Sequence, residues 1–260
     1  MMLSIKHLDR FLLKTAFGLR NRRPIEMTAT TLTVRELRRM WKPHKERLAA
    51  LHSEHPTNVR FHRACSWLQR SEETPIGSDL DITLMSQWIA MNALYGQWDS
   101  LRQEPVGDLK SWKDFLDRML KLDQQEIIIN TLNEQKSLVM SILEDPFLSR
   151  YFWKEPCPQQ ANRSRKTLHE ARTWYLMGNW ALILDRVVER IYFLRCQIVH
   201  GAATYDSQLN RSAIQLCTEL LDPLIRSFLL IWAQRGVEED WGGMCYPPQS
   251  LEEMRVNSTS

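Results

Sequence analysis

Glycine is scarce, at 9 of 260 residues, and no convincing two-residue alternation of apolar and polar side chains runs for more than a few positions. Both observations argue against a sheet protein. The 5 cysteines are odd in number, widely spaced and never arranged as C-x-x-C, which argues against a disulfide framework and against a zinc site. Free thiols and a cytoplasmic location are the resulting expectation, with no metal and no cofactor. Charge of one sign is not in large excess either: the formal net charge is +3, so any affinity for nucleic acid has to come from a local patch. In the first 26 residues the longest apolar run is Phe11-Leu12-Leu13, too short for a signal-peptide core or a membrane span, and no membrane association is expected.

What is abundant points one way. Leu, Arg, Glu, Gln, Met and Ala lose little rotamer freedom in a helix, and with 43% hydrophobic and 25% charged residues the chain has the composition of an ordinary globular protein. An all-α architecture is predicted. Residues 1–26 carry six Lys or Arg against Asp9 and Glu26, and read as a basic helical extension or as sequence upstream of a start at Met27 rather than as a targeting peptide, because Ser is scarce.

Thr33, with Glu36 at the capping-box position, predicts a helix start, and Pro43 predicts a kink or break within that helix. Further helices are predicted from about 58 to 70, from Ser78 or Asp79 to a stop at Gly96, from Asp108 through LKSWKDFLDRML, and from about 124 to 143. EDPFLSRYFWKEPCPQQANRS is proline-rich and reads as a linker or partner-facing loop, with the helix resuming at Asn162 or Ser164. A long helix from about 179 to His200 and a last one from 211 to 235 follow, and 236–260 reads as an irregular, partly disordered tail.

The stretch LRCQIVHG, residues 194–201, is the one that carries chemistry. Leu184, Val188, Ile191 and Ile198 fall on one stripe of the long helix, and Arg195 lies inside that stripe. A guanidinium in an apolar stripe needs a partner. His200 projects about 140° around the helix from Arg195, so the two share a face only if the helix frays at Gly201 or if two copies meet about a two-fold axis and each supplies half a site. A fixed cation beside a group that exchanges protons suits a phosphodiester, whose charge Arg195 neutralises while His200 moves a proton. The plain alternative is an Arg that ties two helices together through a carboxylate, followed by a His that caps the last carbonyls.

LRCQIVHGAAT, together with RACSWLQRSEE at 63–73 and WIAMNALYGQW at 88–98, resembles the signature of the HEPN superfamily, in its bacterial Apea-like branch. The resemblance covers about residues 57–235. It implies a HEPN-type antiparallel helical bundle (57–235) with additional N-terminal helices (1–56), an inserted helical segment and an irregular tail (236–260). It further implies a homodimer that places Arg195 and His200 in a cleft between protomers and acts as a metal-independent ribonuclease on RNA, through attack of the 2′-hydroxyl and release of a 2′,3′-cyclic phosphate. A toxin or antiviral role, with an antitoxin or other partner protein, goes with that reading; a catalytically silent nucleotide-binding or protein-interaction module is the alternative. A third possibility is an interaction scaffold using the proline-rich segment and the tail.

Cys196 stands where active members carry Asn, Asp or His, and is a poor hydrogen-bonding group and a candidate redox-sensitive thiol. Asn92 is expected to point its amide into the same cleft or to be a buried amide satisfied by backbone. Gly201 and Thr204 follow the pattern, while Ala202 replaces a glycine and is expected to restrict the turn. Trp88 and Tyr95 read as core aromatics, Glu72 and Glu73 as a solvated helix end, and His44, His52, His55 and His62 as surface histidines rather than metal ligands.

Overall fold

The computed structural model describes residues 31–75 and 77–247; the expectations for residues 1–26 and for 248–260 lie outside the described residues. Among these, the chain is all-α: ten α-helices and one two-residue β-pair. The helices are α1 (Val34–Leu51), α2 (Pro56–Glu73), α3 (Leu80–Tyr95), α4 (Asp108–Leu122), α5 (Ile127–Glu134), α6 (Lys136–Glu144), α7 (Arg150–Lys154), α8 (Pro158–Met177), α9 (Trp180–Val199) and α10 (Arg211–Arg235). No helix among the described residues is long and apolar enough to cross a membrane.

α10 is the axle of the fold. From Leu220 to Ala233 only Asp222 escapes burial, the signature of a helix enclosed on all sides, and α1, α3, α4, α5, α6 and α9 all pack against it. One continuous apolar core results, in which Leu37, Trp41 and Leu48 of α1 join Trp88 and Leu94 of α3, Phe115 of α4 and Phe228 of α10. Charge enters this core at a cost that is met locally. The Arg226 guanidinium is held by Asp222 and Glu72 and reaches the Leu32 carbonyl, so Glu72 is not a merely solvated helix end; it also accepts from the Val34 amide.

Several boundaries differ from the sequence expectation for identifiable reasons. Thr33 and Glu36 form the reciprocal capping box, but Pro43 does not interrupt α1. Its ring is exposed, so the Arg39 carbonyl that loses a donor is left toward water rather than in the core. α8 begins at Pro158 rather than in the 160s: proline at the first helical position has its dihedral preset and lacks only an amide that would be unpaired anyway. The segment expected as one helix from 124 to 143 divides at Gln135, and Asp123 caps its start by accepting from the amides of Ile127 and Ile128 at 2.7 Å each. Gly96 does end α3, yet with φ of −56° it needs no left-handed conformation; a Cβ there would sit 3.0 Å from the Asn92 carbonyl oxygen and 3.1 Å from its side-chain oxygen.

Beyond α10 the described part of the tail is irregular but docked. A 3-10 turn (Gly236–Glu238) leads to Trp241, which stacks on Trp232 at 3.9 Å and 11°, and Met244 bridges to Gln97 beside the β1 (Trp98–Asp99) and β2 (Glu104–Pro105) pair. Replacing this indole is expected to leave a cavity against α10, lowering stability by about 3 kcal/mol. Urea unfolding of Trp241→Ala should show that loss, with faster amide exchange at Trp98, whose N–H is held by the Gly243 carbonyl. Unchanged stability would mean that the tail is not an integral part of the core.

Candidate functional site

α9 buries Ile183, Leu184, Val187, Val188, Ile191 and Leu194, and this apolar register carries Arg195 to the core's edge, where its side chain is 20% exposed. The guanidinium Nη1 lies 3.6 Å from Asp108 Oδ2 at the first turn of α4 and 4.0 Å from the neighbouring Cys196 Sγ. At 3.6 Å the pair is held by charge rather than by a hydrogen bond. Arg195 Nε is buried and has no hydrogen-bond partner among the described residues. The carboxylate is shared: Tyr95 Oη donates to Asp108 Oδ1 at 3.4 Å. Burial first and then the Asp108 charge hold the Tyr95 phenol well above its ordinary range. Tyr192, one turn before Cys196 on α9, is pushed up to about 12 by burial, then by its hydrogen bond to Cys196. Both phenols are therefore neutral proton donors beside a fixed cation at neutral pH.

Arg195 opens onto a cleft of about 390 Å³ between α2, α3, the start of α4 and the tail. Asn92 lines it, and its amide makes no hydrogen bond among the described residues, so the buried, backbone-satisfied alternative does not describe it. Trp67, 42% exposed, and Tyr246, 70% exposed, stand at the rim. The floor is set by Arg60, 1% exposed, whose guanidinium donates to the carbonyls of Leu94, Gly96, Gly242 and Gly243. With no carboxylate partner, its pKa is drawn down to about 10 by burial. Arg63, one turn on, donates to the carbonyls of Cys245 and Tyr246 and lines the same cleft.

His200 does not line this cleft. It is the last cap of α9, exposed, with its backbone N–H on the Cys196 carbonyl; the Gly201 N–H reaches Ile198 O at 3.1 Å and the Ala202 N–H reaches Gln197 O at 2.8 Å. That is a Schellman end, with Gly201 at φ +71°. Ala202 does not restrict the turn, because only Gly201 takes a positive φ there. Thr204 lines a second cavity, of about 680 Å³, with Phe147, Trp153 and Gln197. Within one chain, then, Arg195 and Asn92 line the same cleft, Cys196 lies against Arg195 without lining that cleft, and His200 and Thr204 lie at and beyond the helix end.

Asp108, Arg60, Arg63 and Trp67 belong to the cleft and were not singled out as site residues from sequence. Asp108 reads there only as a helix start, and nothing in a separation of 87 residues links it to Arg195. Among the histidines, His44 packs against Trp41 at 5.3 Å and His55 precedes Pro56 at the start of α2, its pKa lowered by burial. No group of three His, Cys, Asp or Glu among the described residues is arranged to hold a metal ion.

Comparison with protein families, with characterised proteins and with solved structures finds no match for this chain.

The tyrosine cluster makes a pH prediction. A phenol whose pKa is raised on folding stabilises the protein fully below its unfolded value, near 10, and that contribution is lost as pH rises through the folded value, near 12 for Tyr192. Tyr192→Phe should accordingly lose less stability than the wild type between pH 10 and 12, seen as a difference in urea midpoints that narrows across that window. A difference independent of pH would show that Tyr192 ionises alike in the folded and unfolded chain.

Proposed function

We propose that this protein is a metal-independent endoribonuclease acting on single-stranded or looped RNA, with a composite site in a homodimer. Arg195 neutralises the scissile phosphate. His200 of the second copy takes the proton of the 2′-hydroxyl as that oxygen attacks phosphorus; the 5′-oxygen leaves and is protonated, giving a 2′,3′-cyclic phosphate and a 5′-hydroxyl end.

The observation that carries this reading is the split of the pair: Arg195 faces an open cleft with Asn92, while His200 stands exposed on the end of the same helix, outside that cleft. A guanidinium and an imidazole presented in this way act on one phosphate when a second copy brings its own helix end to the cleft. Exposed Trp67 and Tyr246 at the rim suit stacking on unpaired bases. A binding-only module is the second reading, favoured by Asp108 beside Arg195 and by Cys196 in place of a polar group.

Purified protein in excess EDTA should cut a mixed RNA to cyclic-phosphate ends, and Arg195→Ala and His200→Ala should each abolish the cutting. Mixing the two inactive variants under conditions of subunit exchange should restore about a quarter of the wild-type activity, since a mixed dimer keeps one intact site of two. Cleavage retained in either single variant sinks the mechanism; no cleavage by a folded wild-type dimer that still binds oligonucleotide supports the binding module.

A further inference from the structure

A second groove, larger than the Arg195 cleft, lies on the α1 side of the molecule. Between α1 and α2 lies an open trough of about 1000 Å³ whose walls are basic. Arg35, Arg38, Arg39, Lys42 and Lys45 recur at three- and four-residue intervals, so α1 presents them along one face. Arg63 of α2 closes the row, and the apolar floor is Trp41 stacked on Phe61 at 4.6 Å. Two acidic residues, Glu46 and Glu54, also line the trough, but only Glu46 makes an ion pair there, with Lys42 at 3.8 Å between two exposed side chains. Arg35, Arg38, Arg39, Lys45 and Arg63 have no carboxylate within ion-pair distance among the described residues. In a chain of net charge +3 this is a marked local excess.

Like charges crowded on one helix face cost stability in the isolated protein. Such a row is in keeping with an anionic occupant whose binding relieves the repulsion. Two features select the occupant. Arg63 lines both this trough and the Arg195 cleft, so the two grooves meet at a cation whose guanidinium is also anchored on the Cys245 and Tyr246 carbonyls. Trp67 lies one turn beyond Arg63 on α2, exposed on the cleft side, where a base rather than a phosphate is accommodated. From Arg35 to Lys45 the row extends about 15 Å along the helix, the length of several phosphates of a stacked strand. Residues 1–26 of the chain carry the same sign of charge and are not its electrostatic complement.

We propose that the α1/α2 trough is a track for the phosphodiester backbone of single-stranded nucleic acid, which feeds the strand past Arg63 and Trp67 to Arg195. Naming that strand as RNA rests on the ribonuclease reading; the track itself rests on the charge of the trough and its junction with the cleft at Arg63.

The test measures binding, not cutting. Polarisation of a short labelled oligouridine is followed across a salt series in a His200→Ala background, so that the probe survives whether or not the wild type is a nuclease. Arg35→Ala, Arg39→Ala and Lys45→Ala together should weaken binding roughly tenfold or more at low salt. They should also reduce the slope of log affinity against log salt by about 2, since each single-strand phosphate that is no longer neutralised removes ~0.7 from it. The three side chains are exposed on α1. A control that removes equal charge from exposed positions of α8, Arg165→Ala, Lys166→Ala and Arg172→Ala, should leave the slope in place. Oligothymidine of equal length should show the same dependence on the trough, because backbone phosphates carry it. An unchanged slope in the α1 variant, or an equal loss in the α8 control, would overturn the track. So would loss of binding to polyglutamate or to phosphatidylserine vesicles with oligouridine affinity intact, which would assign the groove to an acidic protein or a membrane surface.

Discussion

Arg60 holds together the parts from which the candidate site is built. Its guanidinium is buried without a carboxylate and directs its donors to backbone carbonyls from two places far apart in the chain, the end of α3 and the tail after α10. The end of α3 and the irregular tail leave acceptors short of donors, and a buried acceptor left alone costs on the order of 1 to 3 kcal/mol; Arg60 serves the Leu94 and Gly96 carbonyls and shares the Gly243 carbonyl with the Trp98 amide. One planar, five-donor side chain serves several of them. The charge carries a desolvation cost, visible in a pKa drawn down to about 10, and remains positive at neutral pH. The cleft is thus floored by a cation that is structural first and electrostatic second.

The same arrangement recurs at Arg190, whose guanidinium reaches the carbonyls of Leu143 and Asp145 and the Ser164 hydroxyl, tying α6 and α8 to α9. Arg195 is different. It has one carboxylate at ion-pair distance and an opening to solvent; a buried Nε without a partner among the described residues it shares with Arg60. Where both terminal nitrogens of Arg60 and of Arg190 donate to backbone carbonyls, Arg195 makes one ion pair and faces a cleft, and so retains capacity for an incoming anion. That contrast separates it from the other buried arginines on physical grounds, independently of any resemblance.

How much of this was legible in the sequence varies by residue. The capping box at Thr33 and Glu36, the stop at Gly96 and the all-helical composition are local properties, and a local reading finds them. Pro43 and Pro158 mislead because a proline's effect depends on whether its missing hydrogen bond faces water or falls at a first turn. Arg195 stands out because a charge interrupts an apolar stripe. Arg60 gives no such signal: RFHRACSW reads as an ordinary amphipathic turn, and the carbonyls that accept from Arg60 come from segments that only folding brings near.

The sequence by itself determined that the chain is helical, where most helices begin and end, and that Arg195 and His200 of one helix point apart, since each follows from nearest-neighbour sterics and a period of 3.6 residues. Tertiary structure alone decided that Asp108 meets both Arg195 and Tyr95, that the tail closes the cleft through Arg60 and Arg63, and that the trough along α1 adjoins that cleft at Arg63. These depend on helix packing, where buried area and the pairing of polar groups are shared among residues far apart in the chain, and no short-range pattern records them.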